Sequence, residues 1–425
     1  MMKSYFIYYL QIFKKIFIVF FLSFIKKYKF RKKIQHLKSK LIDKKKYLVV
    51  LNTSSIGALT SQLNYFYKYS KIYNLSIKDD FYFLASKKNI CNNYLIDKIC
   101  ETIEINYDDN LYDLLNNYGG LKSFVINKLC IPFANDFINI LPGINFPIKF
   151  SSIEESTAKS LLKKCGILKE KNIVGISCKD STYWDNKSIE KKWDIYRYSS
   201  FNRLELAIEY LKKNNFTIIH LGENTIPSDL EDSIISLGSL SNDEREFIDI
   251  YIFTITKFVI LGAQGLKFVA ELFSVPVLSH NSFLPQWQSD GIFLPKKFKD
   301  KENNIIPYRK LLKKRILELD VDQGFIKLKY IEPLIFRNIS QFKIKGIILE
   351  QNSSIEILEA TKEMLLYIIY KDCNLISEDL ELQNKIRKIF YASEVNSNSI
   401  INYGFNFGGY FSFSFLKSNR EIIDN

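Results

Sequence analysis

An alternation of short apolar runs with helical stretches, from residue 173 to residue 281, is the feature that most constrains this chain. The runs read IVGISC, FTIIHLG, FVILGAQG and VPVLSHN, and the segments between them carry the period of an amphipathic helix. Apolar runs of this length are typical of strands buried on both faces, and parallel pairing requires a crossover between successive strands. The alternation therefore predicts a parallel sheet covered by helices.

A similar series precedes this one. From Tyr47 the sequence reads as a β-branched run, a small-residue loop that holds Gly57, and a helix, which together form the opening unit of a Rossmann-like sheet. Further strands are predicted at 81–86 and at the end of YLIDKICETIEI, and a Pro-interrupted connector follows at 130–150. The predicted fold class is therefore α/β, with two Rossmann-like parallel-sheet domains.

Residues 1–46 form a different kind of segment. They hold 14 Lys or Arg against a single acidic residue, so nearly the whole net charge of +14 lies here. The apolar stretch at 5–25 is interrupted by Lys14 and Lys15, each of which would cost about 2.5–3.5 kcal/mol at the centre of a bilayer. The segment therefore predicts an in-plane amphipathic helix attracted to anionic lipid. A single signal-anchor span and a cleaved signal peptide are the alternatives.

Charge and metal-ligating residues exclude several classes of function. Beyond residue 46 the positive and negative charges nearly balance, whereas a nucleic-acid binder would spread a basic surface over its folded body. The six cysteines lack C-x-x-C spacing, and the three histidines are not paired at i, i+4. We therefore expect no nucleic-acid partner, no metal site and a reducing cytoplasm.

The residues that follow each apolar run are the candidates for a site, because ligands of open parallel sheets collect at the carboxyl ends of strands. Lys179 and Asp180 could meet a phosphate and a substrate hydroxyl, or form a surface ion pair. Arg197 stands among aromatic residues, where it could hold a diphosphate or stack on a neighbouring tyrosine. His220 and Asn281 end later runs, and they either contact a ligand or fill and cap their loops.

The turn ILGAQGLKF carries the strongest of these signals. Its two glycines permit a close backbone approach, and a helix that begins at the end of the turn would direct its first N–H groups at an anion. The turn has neither the G-K-[ST] of a P-loop nor a G-x-G-x-x-G fingerprint. It predicts a phosphate cradle formed by Gly262, Gln264, Gly265 and Leu266.

From about Tyr47 to Leu416 these elements, in this order, resemble a family of bacterial surface-polysaccharide glycosyltransferases that is GT-B-like and distantly similar to fucosyltransferases. The landmarks of that family are an IGHL turn, an HVRD strand end, a YRN motif, a VIRMG strand, an aspartate, an IGxxSG turn and a helix ending in FLxxN. Here they read IGAL (56–59), SCKD (177–180), YRY (196–198), IIHLG (218–222), Asp249, ILGAQG (260–265) and SFLKSN (414–419).

The polar positions of these motifs depart from the family more than the framework does. The sequence differs from the family motifs at five polar or turn positions, which are Ala58, Ser177, Lys179, His220 and Gln264. The family residues are kept at Asp180, Arg197, Asp249 and Gly265. A divergent donor preference and an inactive homologue are both compatible with this pattern.

The resemblance implies a metal-independent glycosyltransferase that needs no cofactor. It would move a sugar from a nucleotide-sugar donor to a lipid-linked or cell-surface polysaccharide acceptor, at the cytoplasmic face of the inner membrane. Asp180 is the catalytic candidate, and Lys179, Arg197 and the Gln264–Leu266 turn would hold the donor diphosphate. The alternatives are an inactive membrane-associated assembly subunit and a nucleotide-sugar epimerase.

The resemblance also implies a division of the chain into four parts. Residues 1–46 would associate with the membrane, and 47–150 would form an acceptor domain that binds its substrate near Gly57. Residues 151–345 would form the nucleotide-sugar domain, and 346–425 would add a strand and helices that complete the fold.

Overall fold

The structure, a computed structural model, describes residues 47–117, 143–168, 171–179, 197–222, 226–282, 290–311, 318–320, 325–327, 346–370, 375–391 and 408–423. The predictions about residues 1–46 and Asp180 lie outside the described residues. Within the described part, parallel strands alternate with helices, which confirms the mixed α/β class. None of the helices in this part is long and apolar enough to cross a bilayer.

The first unit is a three-stranded parallel sheet with its helices. The strands pair in the order β1 (Tyr47–Val50), β2 (Phe81–Ala85), β3 (Ile105–Tyr107). Each strand is followed by a helix, namely α1 (Ile56–Ile72), α2 (Asn93–Cys100) and α3 (Asp109–Asn117). The strands and helices predicted for this region are therefore confirmed.

The second unit is a six-stranded parallel sheet. Its strands are β4 (Ile173–Ser177), β5 (Thr217–His220), β6 (Thr256–Leu261), β7 (Val277–Ser282), β8 (Gly291–Pro295) and β13 (Tyr410–Phe411). They pair in the order β13-β8-β7-β6-β4-β5, and every pair is parallel. All residues of β4 and of β8 are buried, so both strands read as continuous apolar runs.

Helices and two small antiparallel sheets complete the described part. The helices are α4 (Ser152–Lys164), α5 (Glu205–Lys213), α6 (Asn242–Tyr251), α7 (Leu266–Leu272), α8 (Tyr308–Leu311), α9 (Ser354–Tyr370), α10 (Ser377–Tyr391) and α11 (Phe413–Ser418). The antiparallel pairs are β9 (Lys297–Lys299) with β12 (Ile348–Glu350), and β10 (Glu318–Asp320) with β11 (Phe325–Lys327). The sequence analysis predicted neither of these pairs.

The two units meet where the first turns of α1 and α7 approach each other. A Cβ atom built on Gly57 would lie 2.4 Å from the Cα of Gly265, and one on Gly265 would lie 2.9 Å from the Cα of Gly57. Only glycine permits so close a backbone contact. Further along the same helices, Lys68 and Glu271 form a buried ion pair at 3.0 Å, so α1 and α7 pack side by side.

Substitution of Gly57 by alanine tests this contact. Gly57→Ala should lower the free energy of unfolding by about 1–3 kcal/mol, because the added methyl group meets backbone that cannot rotate away. Urea titration measures the change. Gly238→Ala is the matched control, since its Cβ would meet only the side chain of Ser236, at 3.2 Å. Equal losses in the two variants would contradict the role given to the glycine contact.

Candidate functional site

The six-stranded sheet contains a point at which the strand order reverses. Strand β5 pairs with one side of β4. The next strands along the chain, β6, β7 and β8, are added on the other side of β4. Loops that leave neighbouring strands in opposite directions open a crevice, and ligands of open α/β sheets bind there. The carboxyl ends of β4 and β6 therefore mark the candidate site.

Hydrogen bonds join the loops that follow these two strands. The Gly262 N–H donates to the carbonyl oxygen of Ser177 at 3.3 Å, and Nε2 of Gln264 donates to the same oxygen at 2.9 Å. The Ser177 hydroxyl donates in turn to Oε1 of Gln264 at 3.3 Å. Gly265 follows directly and faces Gly57 of the first unit. The predicted turn thus lies at the reversal point and beside the first unit.

The segment from Arg197 to Ser200 crosses over this turn. A Cβ atom on Gly262 would lie 3.3 Å from the Cβ of Ser199. The Ser199 N–H donates to the carbonyl oxygen of Lys179 at 3.1 Å, and Nζ of Lys296 donates to the carbonyl oxygen of Tyr198 at 3.3 Å. Lys179 and Arg197, which the sequence analysis selected separately, are therefore brought to the same place.

Two buried lysines that the sequence analysis did not select lie beside them. Lys267 is 2% exposed and Lys296 is 3% exposed. Nζ of Lys267 donates to the hydroxyls of Ser279 and Ser282, at 2.8 Å to the latter. Burial lowers the pKa of each ammonium group to about 7, and repulsion by Arg197 contributes at Lys267.

His280 lies near these lysines, and its ring contacts Ser199. Burial first, and then the charges of Lys267 and Lys296, lower the pKa of its imidazole to about 3. Its Nδ1 is 3.2 Å from the Ser199 hydroxyl and 3.1 Å from Nδ2 of Asn281. The histidine is therefore neutral near pH 7 and adds no positive charge to the site.

The basic side chains of Arg197, Lys267 and Lys296 form what we call the cation cluster, and the backbone of Lys179 lies beside it. The groups that lower the pKa values of Lys267 and His280 electrostatically are themselves cations, whereas burial alone lowers the pKa of Lys296. Like charges in a water-poor crevice repel strongly, and an anion that enters relieves this repulsion. The cluster is suited to a ligand that carries several negative charges. No group of three or more His, Cys, Asp or Glu suited to a metal ion occurs within the described ranges.

The structure also shows where the remaining candidates lie. Asn281 is buried and exchanges hydrogen bonds of 2.7 Å with Asn352, each backbone N–H donating to the other side chain, so it ties β7 to the loop before α9. His220 is buried and packs edge-on against Phe201, with ring centroids 5.6 Å apart. Leu266 begins α7 and is half-buried. Ligand roles for these three residues stay predictions.

The sequence analysis did not select Lys296 or Lys267 as site residues, and the reasons differ. Lys296 directly follows β8, so the rule applied to the other strands would have selected it if β8 had been predicted. Lys267 lies in the first turn of α7, where a charged side chain usually faces water. Its burial depends on hydroxyls of β7, and a local pattern does not reveal that contact.

The chain is similar to several solved structures. It matches ADP-heptose lipopolysaccharide heptosyltransferase II of E. coli at 13% identity and a TM-score of 0.35, over 59% of this chain and 84% of that one. It matches TibC, the iron-containing dodecameric glycosyltransferase of enterotoxigenic E. coli, at 13% identity and a TM-score of 0.34, over 58% and 62%. It matches the E. coli heptosyltransferase WaaC with ADP at 14% identity and a TM-score of 0.27, over 59% and 86%.

Comparison at the level of sequence found no such relatives. No protein-family model matches the chain, and no curated protein matches it. At such low TM-scores and identities, the solved structures decide neither the fold nor the activity of this chain. We therefore derive its function from its own residues.

The buried lysines predict a specific dependence of stability on pH. Their folded-state pKa values are lowered from 10.5 to about 7, so the unfolded chain binds more protons above pH 7. The free energy of unfolding should therefore rise between about pH 7 and 9, by roughly 1 kcal/mol per pH unit for each lysine. Urea titrations across this range measure the rise, and Lys267→Met should remove about half of it. A flat profile in the unsubstituted protein would contradict the assignment.

Proposed function

We propose that this chain is a glycosyltransferase that moves a sugar from a nucleotide-sugar donor to a lipid-linked or cell-surface polysaccharide acceptor. The observation that carries the proposal is the position of the cation cluster, at the carboxyl ends of the strands where the sheet order reverses. A nucleotide-sugar presents a diphosphate at its centre, and its negative charges complement the lysines and Arg197. Its sugar and its nucleoside would extend to either side along the crevice.

The cluster is suited to the charge that develops during glycosyl transfer. When the bond between sugar and diphosphate breaks, negative charge builds on the leaving phosphate, and positioned cations stabilise it without rearrangement. In this mechanism the cluster takes the part that a divalent metal plays in other enzymes, and no cofactor is needed. Asp180, directly after Lys179, would accept the proton of the acceptor hydroxyl.

The acceptor would bind against the first unit near Gly57. Because Gly57 and Gly265 are in contact, the loop after β1 borders the turn that leads into the cation cluster. An acceptor placed on that loop would reach the donor sugar across a short distance. Asn52 supports this position, since its side chain accepts hydrogen bonds from the backbone and the hydroxyl of Ser54, at 3.1 and 2.9 Å, and thereby orders the loop.

The motif resemblance supports the same proposal at positions that the described structure contains. Asp249, which matches the family aspartate, accepts a hydrogen bond of 2.6 Å from Nε of Arg245. The same guanidinium donates through Nη2 to the carbonyl oxygen of Gly222 at 2.7 Å, so this pair braces the loop after β5. Asp249 therefore stabilises the loop beside the crevice, whereas Arg197 lies at the crevice itself.

Nucleotide binding tests the proposal directly. Arg197→Ala should weaken binding of a nucleoside diphosphate at least tenfold, because it removes a two-pronged hydrogen bond to phosphate, and Arg197→Lys should weaken it less. Thermal-shift titration with a panel of nucleoside diphosphates and nucleotide-sugars measures this, since ligand at about 100 times its Kd adds about 2.7 kcal/mol of stability. Arg203→Ala is the matched control, because Arg203 is exposed close by.

The outcome also separates the alternatives. An assembly subunit would bind none of the nucleotides, and an epimerase would release free sugar and nucleotide without an acceptor. Transfer of a labelled sugar to a lipid-linked or polysaccharide acceptor, lost in Arg197→Ala and retained in Arg203→Ala, is the result expected of a glycosyltransferase. Wild-type affinity in a correctly folded Arg197→Ala variant would overturn the assignment of this residue.

We place the enzyme at the cytoplasmic face of the inner membrane through residues 1–46. Replacing the six cationic residues between 26 and 33 by glutamine in the full chain should release the protein from vesicles that contain anionic lipid, because each basic residue near the surface contributes about 1 kcal/mol. Co-sedimentation measures the bound fraction. Glutamine substitution of six exposed lysines of the folded body is the control, and equal release in both variants would contradict the placement.

A further inference from the structure

Three buried side chains form a closed triangle at one wall of the cation cluster. Nζ of Lys267 donates to the hydroxyls of Ser279 and Ser282, and these two hydroxyls lie 2.7 Å apart. The Ser282 hydroxyl also donates to the carbonyl oxygen of His280, at 3.4 Å. The exposed fractions of Lys267, Ser279 and Ser282 are 2%, 0% and 1%, so water does not solvate the triangle.

A count of hydrogens shows which form of Lys267 fits this triangle. A neutral amine has two N–H groups, which the two serine oxygens accept, while Ser279 donates to Ser282 and Ser282 donates to His280. Every hydrogen of the neutral triangle then has an acceptor. An ammonium group carries a third N–H, and the described part of the chain supplies no further acceptor for it. A phosphate oxygen in the crevice would supply one.

Charged and titratable groups face Lys267 from each element packed around it. Arg197 repels it from the segment that crosses the β6 turn, and His280 of β7 is neutral. On α7 itself, Glu271 is held by Lys68 of α1 at 3.0 Å. The remaining groups near the cluster are Lys179 after β4, Lys296 after β8, and the Cys178 thiol, which lies 3.9 Å from Nε2 of His280. Among these described groups Glu271 alone is acidic, and it is paired with Lys68.

We propose that Lys267 binds the donor phosphate and takes up one proton from the solvent each time it does so. The proposal rests on the function given above and adds to it a residue and a proton that the function alone does not require. The amine of the empty site gains a proton from water or buffer, becomes an ammonium group, and donates its third N–H to a phosphate oxygen. No covalent bond forms or breaks.

Proton uptake has a measurable consequence for affinity. Because burial lowers the pKa of Lys267 to about 7, the side chain is largely neutral near pH 8 in the empty protein. Binding that requires the charged form then weakens as pH rises, by up to about tenfold in Kd for each pH unit. The second pKa of a phosphate group is about 6, so the ligand keeps a constant charge in this range.

Calorimetric titration of the full chain tests the proposal. UDP, ADP and GDP are titrated at about pH 8 in Tris, HEPES and Tricine, whose ionisation enthalpies differ and which contain no phosphate to compete for the site. The apparent binding enthalpy then varies linearly with the ionisation enthalpy of the buffer, and the slope gives the number of protons taken up. We expect about one proton, or more if Lys296 also takes up charge, for each molecule of the nucleotide that binds.

Substitutions at Lys267 assign the proton. Lys267→Arg carries a permanent charge, so it should retain binding within about tenfold and take up about one proton fewer. Lys267→Met should weaken binding at least tenfold and also lose that proton, and it replaces the first variant if arginine does not fold in this space. Lys257→Arg, an exposed lysine at the other end of β6, is the matched control and should behave as the unsubstituted protein does.

The possible outcomes are distinct. Binding by the unsubstituted protein without net proton uptake would overturn the proposal and leave the proposed function standing. The same holds if folded Lys267→Arg and Lys267→Met take up as many protons as the unsubstituted protein. If none of the nucleotides binds, the proposed function fails, and the proposal fails with it. A lysine that served only the fold would change stability and leave the proton count unaltered.

Discussion

The backbone contact between Gly57 and Gly265 sets how the two sheets of this chain face each other. It joins the first turn of α1 to the residue that precedes α7, and the ion pair of Lys68 with Glu271 holds the same two helices together further along. A third link is made by the Glu246 carboxylate of α6, which accepts the N–H of Asn93 at the start of α2 at 2.6 Å. The carboxyl ends of both sheets consequently border one crevice.

Local patterns predicted much of this fold because its central strands are buried on both faces. IVGISC and FVILGAQG read as strands without reference to their neighbours, and β4 and β6 lie there. The order of the strands could not be predicted in the same way. The edge strand β13 is only two residues long and is far from the other strands in the sequence. So short a strand carries no periodicity, and only its pairing with β8 identifies it.

The site was predicted in part for the same reason. Lys179 follows a strand that the sequence analysis predicted, so the rule for carboxyl ends selected it, whereas Lys296 follows β8, which was not predicted. The glycines of the β6 turn illustrate a second limit. The sequence indicated that Gly265 allows close approach to its backbone, and the structure shows that Gly57 makes such an approach. A glycine in a turn indicates that another group approaches its backbone closely, but only the fold shows which group this is.

Other buried ionisable side chains of this protein have partners within the chain that stabilise their charged forms. Lys267 differs from them in this respect. Burial raises the pKa of Glu363 to about 7, and opposing hydrogen bonds from Ser412, Phe413 and Ser414 hold its carboxylate at the start of α11. Lys68 has Glu271 as a counter-ion. Lys267 has two neutral hydroxyls, beside other cations, at the point where the sheet opens. The described residues give Lys267 no counter-ion, so its ammonium form depends on a ligand that brings negative charge into the crevice.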